Sequence, residues 1–137
     1  MERKTVNIGM IGSGRATELH MSAYRRVRDI SPVYKKIVSK DHKKALKAKE
    51  EYGFEQACHS IDEILEDEEI EVVDICTPPN LHEDIIIKAL KAGKNVICEK
   101  PVEMTVAALD KMLDAQKRAE SCSQFIRTDV GTLTSLQ

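Results

Sequence analysis

Short apolar runs alternate with longer segments of helical period along most of this chain, and no other feature of the sequence limits its fold as strongly. Apolar residues in the longer segments recur every three or four positions, which is typical of helices with one buried face. Strands that alternate with helices in this way pair in parallel and form a sheet covered on both faces. We therefore predict an α/β fold, a doubly wound parallel sheet in three layers. The predicted strands are Val6–Ile11, Tyr34–Ser39, Gln56–Cys58, Val72–Cys76 and Asn95–Cys98.

The ends of the helices are predicted from capping residues and glycine stops. The spacing of Ser60 with Glu63, and of Asn80 with Glu83, is typical of helix starts, and glycine commonly follows a helix end. Residues 1–120 form the predicted domain, and residues 121–137 hold a candidate sixth strand at Gln124–Ile126 and an uncommitted tail. The predicted helices are Arg15 to about Arg28, Asp41 to near Gly53, a short one with Ile61, Ile64 and Leu65, Asn80 to Gly93, and one capped by Thr105 that buries Ala108, Leu109, Met112 and Leu113.

Composition sets the size and class of the protein. The 137 residues and the 42% hydrophobic content suit one compact domain with a buried core. Lys and Arg total 21 against 23 Asp and Glu, so charge gives no general attraction to nucleic acid or to an anionic membrane. The charged start, Met1–Lys4, and the short apolar run after it lack the pattern of a signal peptide or a membrane span. We therefore expect a cytoplasmic protein.

Cysteine and histidine spacing predicts reduced thiols and no metal site. The four cysteines form no CxxC pair, and three of them lie in or beside apolar runs, as buried thiols do. The four histidines show no spacing typical of metal ligands. We expect His20 to pack within the first helix.

A glycine-rich turn joins the first predicted strand to the first helix. Its residues are Gly12, Ser13, Gly14, Arg15, Ala16 and Thr17. In this context Gly12 permits a tight turn, Gly14 lets the backbone approach phosphate oxygens, and the helix N-terminus supplies amide donors. Thr17 replaces the third glycine of the usual fingerprint, so helix and strand are expected to stand slightly further apart. A purely structural turn remains the alternative interpretation.

Two further unusual segments follow strands at their carboxyl ends. Thr77, Pro78, Pro79, Asn80, Leu81 and His82 follow the fourth predicted strand, and Glu99, Lys100 and Pro101 follow the fifth. In a sheet of order 3-2-1-4-5, the first and fourth strands flank the point where the strand order reverses, and ligands bind there. The glycine turn and the Thr-Pro-Pro loop are therefore predicted to face each other across one crevice.

These segments together resemble the Gfo/Idh/MocA oxidoreductases over about Val6–Lys117. The resemblance lies in the glycine turn with His20 six residues beyond Gly14, in the TPPNLH segment, and above all in ALKAGKNVICEKP. It implies a Rossmann-type domain that binds NAD(P) and, in such proteins, a C-terminal α+β domain, which this sequence lacks. Family members transfer a hydride between the nicotinamide and a hydroxyl or oxo carbon of a sugar, polyol or related small molecule.

The resemblance also implies roles for residues near the nicotinamide. The lysine of the family's EKP segment corresponds to Lys100, whose ammonium could stabilise alkoxide charge on the reacting oxygen. Without the resemblance, Lys100 reads as an exposed lysine paired with Glu99. His82 is expected to orient the Thr-Pro-Pro loop, and Arg15 either contacts phosphate or projects into solvent. The family's proton-transferring Asp or His comes from the C-terminal domain, so this chain alone is expected to be catalytically incomplete.

The end of the second predicted strand favours NADP over NAD. NAD-binding domains usually place an acidic residue there, and Ser39 stands in its place. Ser39, Lys40 and Lys44 offer donors and positive charge to a 2′-phosphate, while Asp41 reads as a helix cap. The alternative is that Lys40 and Lys44 belong to a solvated basic helix.

We expect a nicotinamide dinucleotide as the ligand, a small-molecule substrate only with a C-terminal domain, and neither nucleic acid nor membrane as a partner. A longer protein could be an oligomer. A free-standing Rossmann module that senses nucleotide or redox state without turnover is the alternative function.

Overall fold

The computed structural model describes residues 3–78, 81–99, 106–107, 110, 114, 125–129 and 132–136, with the backbone alone at 82, 99 and the last two stretches. No helix in those ranges is long and apolar enough to cross a membrane. The elements are β1 Lys4–Ile11, α1 Arg15–Tyr24, β2 Ile30–Val38, α2 His42–Tyr52, β3 Gln56–Cys58, α3 Asp62–Leu65, β4 Val72–Ile75, α4 His82–Lys91, β5 Asn95–Glu99, β6 Phe125–Asp129 and β7 Thr132–Leu136.

The strands form one sheet of order β3-β2-β1-β4-β5-β6-β7. Neighbours from β3 to β6 pair in parallel, and β7 pairs antiparallel with β6. The predicted order of the first five strands is therefore confirmed. Because the chain leaves β1 in one direction to β2 and returns to the other side for β4, the order reverses between β1 and β4.

Helices cover both faces of the sheet, which confirms the three predicted layers. Along β1, Ile8 and Met10 lie in a core cluster with Met21 of α1 and Ala48 of α2. Ile11 lies in the second cluster, with residues of α3 and α4. Successive side chains of a strand point to opposite faces, so one helix layer lies on each face.

Two boundaries, the start of β2 and the end of α1, differ from the sequence prediction by about one helical turn's worth of residues. The strand β2 begins at Ile30 rather than Tyr34 and contains Pro32. Proline is tolerated there because β3 pairs only with Lys36–Val38, which leaves Pro32 with a single neighbouring strand. The helix α1 ends at Tyr24 rather than near Arg28, because the chain tightens into turns closed by the amides of Arg26 and Val27.

The C-terminal residues contain more structure than predicted. The candidate sixth strand corresponds to β6. Thr132–Leu136, for which no secondary structure was predicted, forms β7 and pairs with β6. The predicted last helix is described only at residues 106, 107, 110 and 114, which are helical and exposed. Its predicted cap Thr105 and its predicted buried face lie outside the described residues.

The predicted helix caps have mixed outcomes. Asp41 caps α2 by accepting from the Lys43 amide at 3.0 Å, and Gly53 ends that helix with a φ of 82°. At α3, the Glu63 carboxylate accepts from the amides of His59 and Ser60, which is one half of the predicted capping box. No side chain caps α4, which begins at His82, within the described part of the chain. The predicted cap Asn80 lies outside it.

Candidate functional site

The glycine turn lies where the sheet reverses its order. The Gly12 amide donates to the Val38 carbonyl at 2.8 Å, and the Cys76 amide donates to the Ile11 carbonyl at 2.7 Å. These bonds tie the carboxyl end of β1 to the ends of β2 and β4. The turn and the start of the Thr-Pro-Pro loop therefore lie side by side, as the sequence predicted for a ligand crevice.

Gly12 occupies a position that only glycine fits. Its φ is 110°, and a Cβ there would lie 2.5 Å from the carbonyl oxygen of Cys76. The obstacle is backbone rather than a flexible side chain, so it cannot move aside cheaply. The turn can therefore pass close to β4 only without a side chain at this residue.

Replacing Gly12 with alanine should destabilise the domain by at least about 2 kcal/mol, because the substitution adds backbone strain to a steric clash. Urea denaturation followed by circular dichroism measures this change. The matched control is Gly14→Ala, whose Cβ would meet none of the described atoms within 4 Å beyond those of its chain neighbours. Equal unfolding free energies for the two variants would contradict this account of the turn.

Gly14 lies at the N-terminus of α1 and faces open space. It is the N-cap of the helix, with extended backbone angles (φ −92°, ψ −154°), and no side chain of the described residues caps the first turn. Among the residues that the structure describes, and apart from its two chain neighbours, a Cβ added to Gly14 would meet no atom within 4 Å. The first-turn amides and the positive end of the helix dipole are thus open to an anion.

Thr17 stands in place of the third glycine of the usual fingerprint, between α1 and β1. Its side chain is fully buried, and its hydroxyl donates to the Gly12 carbonyl at 2.8 Å. The hydroxyl thus satisfies a carbonyl of the turn and fastens α1 to it. Ala16 is half-buried and packs against the core, whereas Arg15 is exposed.

The end of β2 lies against the glycine turn. The Ser13 hydroxyl donates to the Ser39 hydroxyl at 2.7 Å, so these two predicted site residues are in direct contact. Lys40 and Lys44 are exposed. The Asp41 carboxylate is engaged as the cap of α2. The side chains offered to a ligand at this edge are therefore hydroxyls and ammonium groups.

A stacked pair of histidines beside this edge was not predicted. The rings of His42 and His59 lie 3.8 Å apart between centroids, with planes inclined by 19°. The two residues follow β2 and β3 respectively, and neighbouring parallel strands bring their carboxyl ends together. Their separation along the sequence gave no local signal for the contact.

The remaining predicted site residues are only partly described. Thr77 is half-buried, and Pro78 is exposed and accepts from the Leu81 amide at 3.0 Å. Glu99 ends β5, and His82 begins α4. The predicted roles of Pro79, Asn80 and Lys100 fall on residues outside the described part of the chain.

A buried polar cluster lies beneath the turn, between α1 and β4. The Nδ1 atom of His20 is 2.8 Å from both carboxylate oxygens of Asp74, and the Tyr24 hydroxyl donates to the same carboxylate. The Sγ atom of Cys76 lies 3.3 Å from Nδ1 of His20. Burial raises the pKa of the Tyr24 phenol and of the Cys76 thiol well above their ordinary values, and the Asp74 charge raises both further. Both groups therefore remain protonated at neutral pH.

The prediction that His20 packs within the first helix is incomplete, and no role was predicted for Asp74. His20 is indeed buried, but its partner is a charged residue in the neighbouring strand. The atoms of His20, Asp74 and Cys76 that could bind a metal ion lie within 4.8 Å of one another. The spacing of cysteines and histidines in the sequence does not reveal this set. These atoms are already hydrogen-bonded among themselves. The one available signal was an acidic residue inside an apolar strand.

The thiols agree with the sequence prediction as far as they are described. Cys58, Cys76 and Cys98 are buried and are thiols rather than halves of a disulfide. Burial also raises the pKa of the Cys58 thiol. Cys122 lies outside the described residues.

Comparison with known proteins gives a consistent result. Residues 6–125 match the family model GFO_IDH_MocA, an oxidoreductase family with an NAD-binding Rossmann fold. Levoglucosan dehydrogenase of Pseudarthrobacter phenanthrenivorans is 37% identical over 83% of this chain and 31% of its own length. Myo-inositol 2-dehydrogenase of Thermotoga maritima is 31% identical over 84% of this chain and 34% of its own.

A solved structure, levoglucosan dehydrogenase in complex with NADH and levoglucosan, superposes with a TM-score of 0.77 and 35% identity. The match covers 86% of this chain and 34% of that chain. The chain thus spans about a third of the length of the curated relatives it matches.

Proposed function

The chain belongs to the Gfo/Idh/MocA oxidoreductase family, of which it contains the NAD-binding Rossmann domain, and from this premise we propose that it binds NADP in preference to NAD for hydride transfer. In the whole protein the hydride passes to or from a carbon that bears a hydroxyl or oxo group, on a sugar, polyol or related small molecule. The observation that carries the proposal is the open N-terminus of α1 at Gly14, beside the contact of Ser13 with Ser39.

The pyrophosphate would bind at the glycine turn. The open approach at Gly14 leaves room for phosphate oxygens, and the uncapped first turn of α1 supplies amide donors with a partial positive charge. Arg15 is exposed next to this opening and can pair with a phosphate oxygen. Ser13 links the pyrophosphate position to the ribose position through Ser39.

The adenosine ribose with its 2′-phosphate would bind beyond Ser39. An acidic residue at this position would repel a phosphate, whereas the Ser39 hydroxyl retains a donor for it. The exposed ammonium groups of Lys40 and Lys44 add positive charge on the same edge. Asp41 is held as the cap of α2 by the Lys43 amide, so its carboxylate is committed to the helix.

The nicotinamide would lie across the carboxyl ends of β4 and β5. The segment from Thr77 to Asn80 follows β4, and His82 lies in the first turn of α4. Glu99 is the last residue of β5, and Lys100 is the next residue in the sequence. When bound, the cofactor supplies the hydride-transferring C4 carbon of its nicotinamide. Lys100 is the residue we assign to stabilising charge on the reacting oxygen, and the proton acceptor comes from a C-terminal domain.

We expect the domain to bind NADPH at least about tenfold more tightly than NADH, which corresponds to roughly 1.4 kcal/mol. The 2′-phosphate is largely dianionic near neutral pH, and the groups that face it are exposed lysines. The preference should shrink as salt rises from about 0.05 to 0.5 M, because exposed charges are screened. Calorimetric titrations with both dinucleotides at two salt concentrations measure it.

The double variant Ser39→Asp with Lys40→Ala should reverse the preference, mostly by weakening NADPH. Lys47→Ala is the matched control, since it removes one exposed lysine of α2 further along the helix. The control should retain the preference of the unmodified chain. If the unmodified chain binds NADH as tightly as NADPH, other residues form the ribose site and this part of the proposal is wrong.

A further inference from the structure

The buried face of α1 is mostly polar. Its four buried residues are Thr17, His20, Met21 and Tyr24, and only Met21 is purely apolar. Thr17, His20 and Tyr24 follow one another at spacings of three and four, which places them on one side of the helix. That side faces the end of β4, where the Asp74 carboxylate accepts hydrogen bonds and the Sγ atom of Cys76 lies 3.3 Å from Nδ1 of His20.

The cluster is built so that a carboxylate can be fully buried. Asp74 is 0% exposed, and an ionised carboxylate in such a place needs several donors. His20 serves both carboxylate oxygens through Nδ1, and Tyr24 adds its hydroxyl. Hydrogen bonds of this kind have narrow distance and angle requirements, so they fix the position of α1 along β4 more tightly than apolar contacts would.

The same elements carry both sides of the glycine turn. Thr17, one turn before His20, donates to the Gly12 carbonyl. Cys76, beside His20, contributes the carbonyl oxygen that a Cβ at Gly12 would meet at 2.5 Å. A shift of α1 against β4 would therefore move the first-turn amides relative to Gly12 and Gly14.

We propose that His20, Asp74 and Tyr24 form a clasp that positions the N-terminus of α1 for the pyrophosphate, and so sets dinucleotide affinity as well as stability. The inference rests on the proposed function, because it assumes that a dinucleotide binds at this helix N-terminus. Amides that must meet phosphate oxygens at hydrogen-bond distance lose their effect when displaced by about 1 Å. His20 and Tyr24 are positioning residues, since they act through α1 rather than by touching the ligand.

The test compares two clasp variants with a variant of the apolar core. Asp74→Asn removes the charge at nearly constant shape, and Tyr24→Phe removes a single hydroxyl. Leu90→Ala on α4 is the control, because Leu90 is fully buried in the core cluster on the opposite face of the sheet. Melting curves by circular dichroism fix a temperature at which all the variants are folded, and calorimetry at that temperature measures NADPH affinity.

We expect Asp74→Asn to weaken NADPH at least tenfold and Tyr24→Phe about threefold, while Leu90→Ala binds as the unmodified chain does despite a lower melting temperature. Should Asp74→Asn fail to fold, Tyr24→Phe alone decides. Clasp variants that bind NADPH like the unmodified chain overturn the clasp and leave the proposed function intact. An unmodified chain that binds no dinucleotide overturns both.

A second readout separates positioning from general loosening. ADP-ribose carries the pyrophosphate, whereas 2′-AMP carries only the adenosine end with its phosphate. The clasp variants should weaken ADP-ribose and leave 2′-AMP unchanged in titrations followed by nuclear magnetic resonance. Equal losses for the two ligands would mean that the whole edge of the sheet has moved, and that the clasp has no specific role.

Discussion

Replacing Gly14 with valine should abolish dinucleotide binding while leaving the fold of the domain intact. The backbone of Gly14 is extended, with φ at −92°, and so lies outside the left-handed region that favours glycine. Apart from its chain neighbours, no atom in the described part of the chain lies within 4 Å of a Cβ at this residue, so folding should tolerate the new side chain. The methyl groups would instead fill the space through which the pyrophosphate approaches the amides of α1.

We expect the loss of affinity to be at least about 100-fold, or roughly 2.7 kcal/mol. Calorimetry measures binding, and a melting curve by circular dichroism verifies the fold. Leu19→Val is the matched control, since Leu19 lies on the same helix and is 41% exposed on its outer face. Unchanged affinity in Gly14→Val would remove the glycine turn from the binding site.

Replacing Lys100 with alanine should lower kcat by about 10²- to 10³-fold in a protein that also carries a C-terminal substrate domain. This is the range expected when one group that stabilises developing oxyanion charge is removed. In the domain alone, the same change should leave NADPH affinity within about twofold, because the lysine acts on the substrate oxygen rather than on the cofactor.

Lys91→Ala is the control for lost positive charge, since Lys91 is an exposed residue at the end of α4. It should leave both kcat and NADPH affinity unchanged. Turnover in Lys100→Ala equal to that of the unmodified protein would refute the catalytic role. It would also favour a nucleotide-sensing function for this edge of the sheet.

The arrangement of the sheet could be predicted from the sequence because its determinants are local. Apolar runs of strand length between amphipathic segments identify β1, β4 and β5 directly, whereas the signal for β3 is weak. Asp41 and Gly53 are recognisable as the start and end of α2, and both behave as predicted. Once the strands alternate with helices, right-handed connections leave few orders for the sheet, and the carboxyl edge is the place to look for the site.

The boundaries that differ depend on tertiary context. Pro32 is acceptable within β2 because β3 pairs with Lys36–Val38 and not at the level of the proline. The segment that forms β7 carries alternating threonines, serine and leucines without a long apolar run. Its pairing with β6 stabilises the strand, and that pairing could not be predicted from the sequence of the segment alone.

The polar cluster and the histidine stack could not be predicted, because both depend on contacts between residues far apart in the sequence. His20 and Asp74 are 54 residues apart in the sequence, and His42 and His59 are brought together only by the pairing of β2 with β3. Neither contact leaves a periodic signal. The single hint was Asp74 itself, since an unpaired carboxylate within an apolar strand would carry a large desolvation cost and so requires a partner from elsewhere in the fold.

The central claim is that this domain binds a nicotinamide dinucleotide at the N-terminus of α1, and a calorimetric titration of the unmodified chain tests it most directly. We expect saturable binding of one NADPH per chain, weaker binding of NADH, and no binding of NADPH to the Gly14→Val variant. Saturable heat from neither dinucleotide, with the chain shown to be folded, would contradict it.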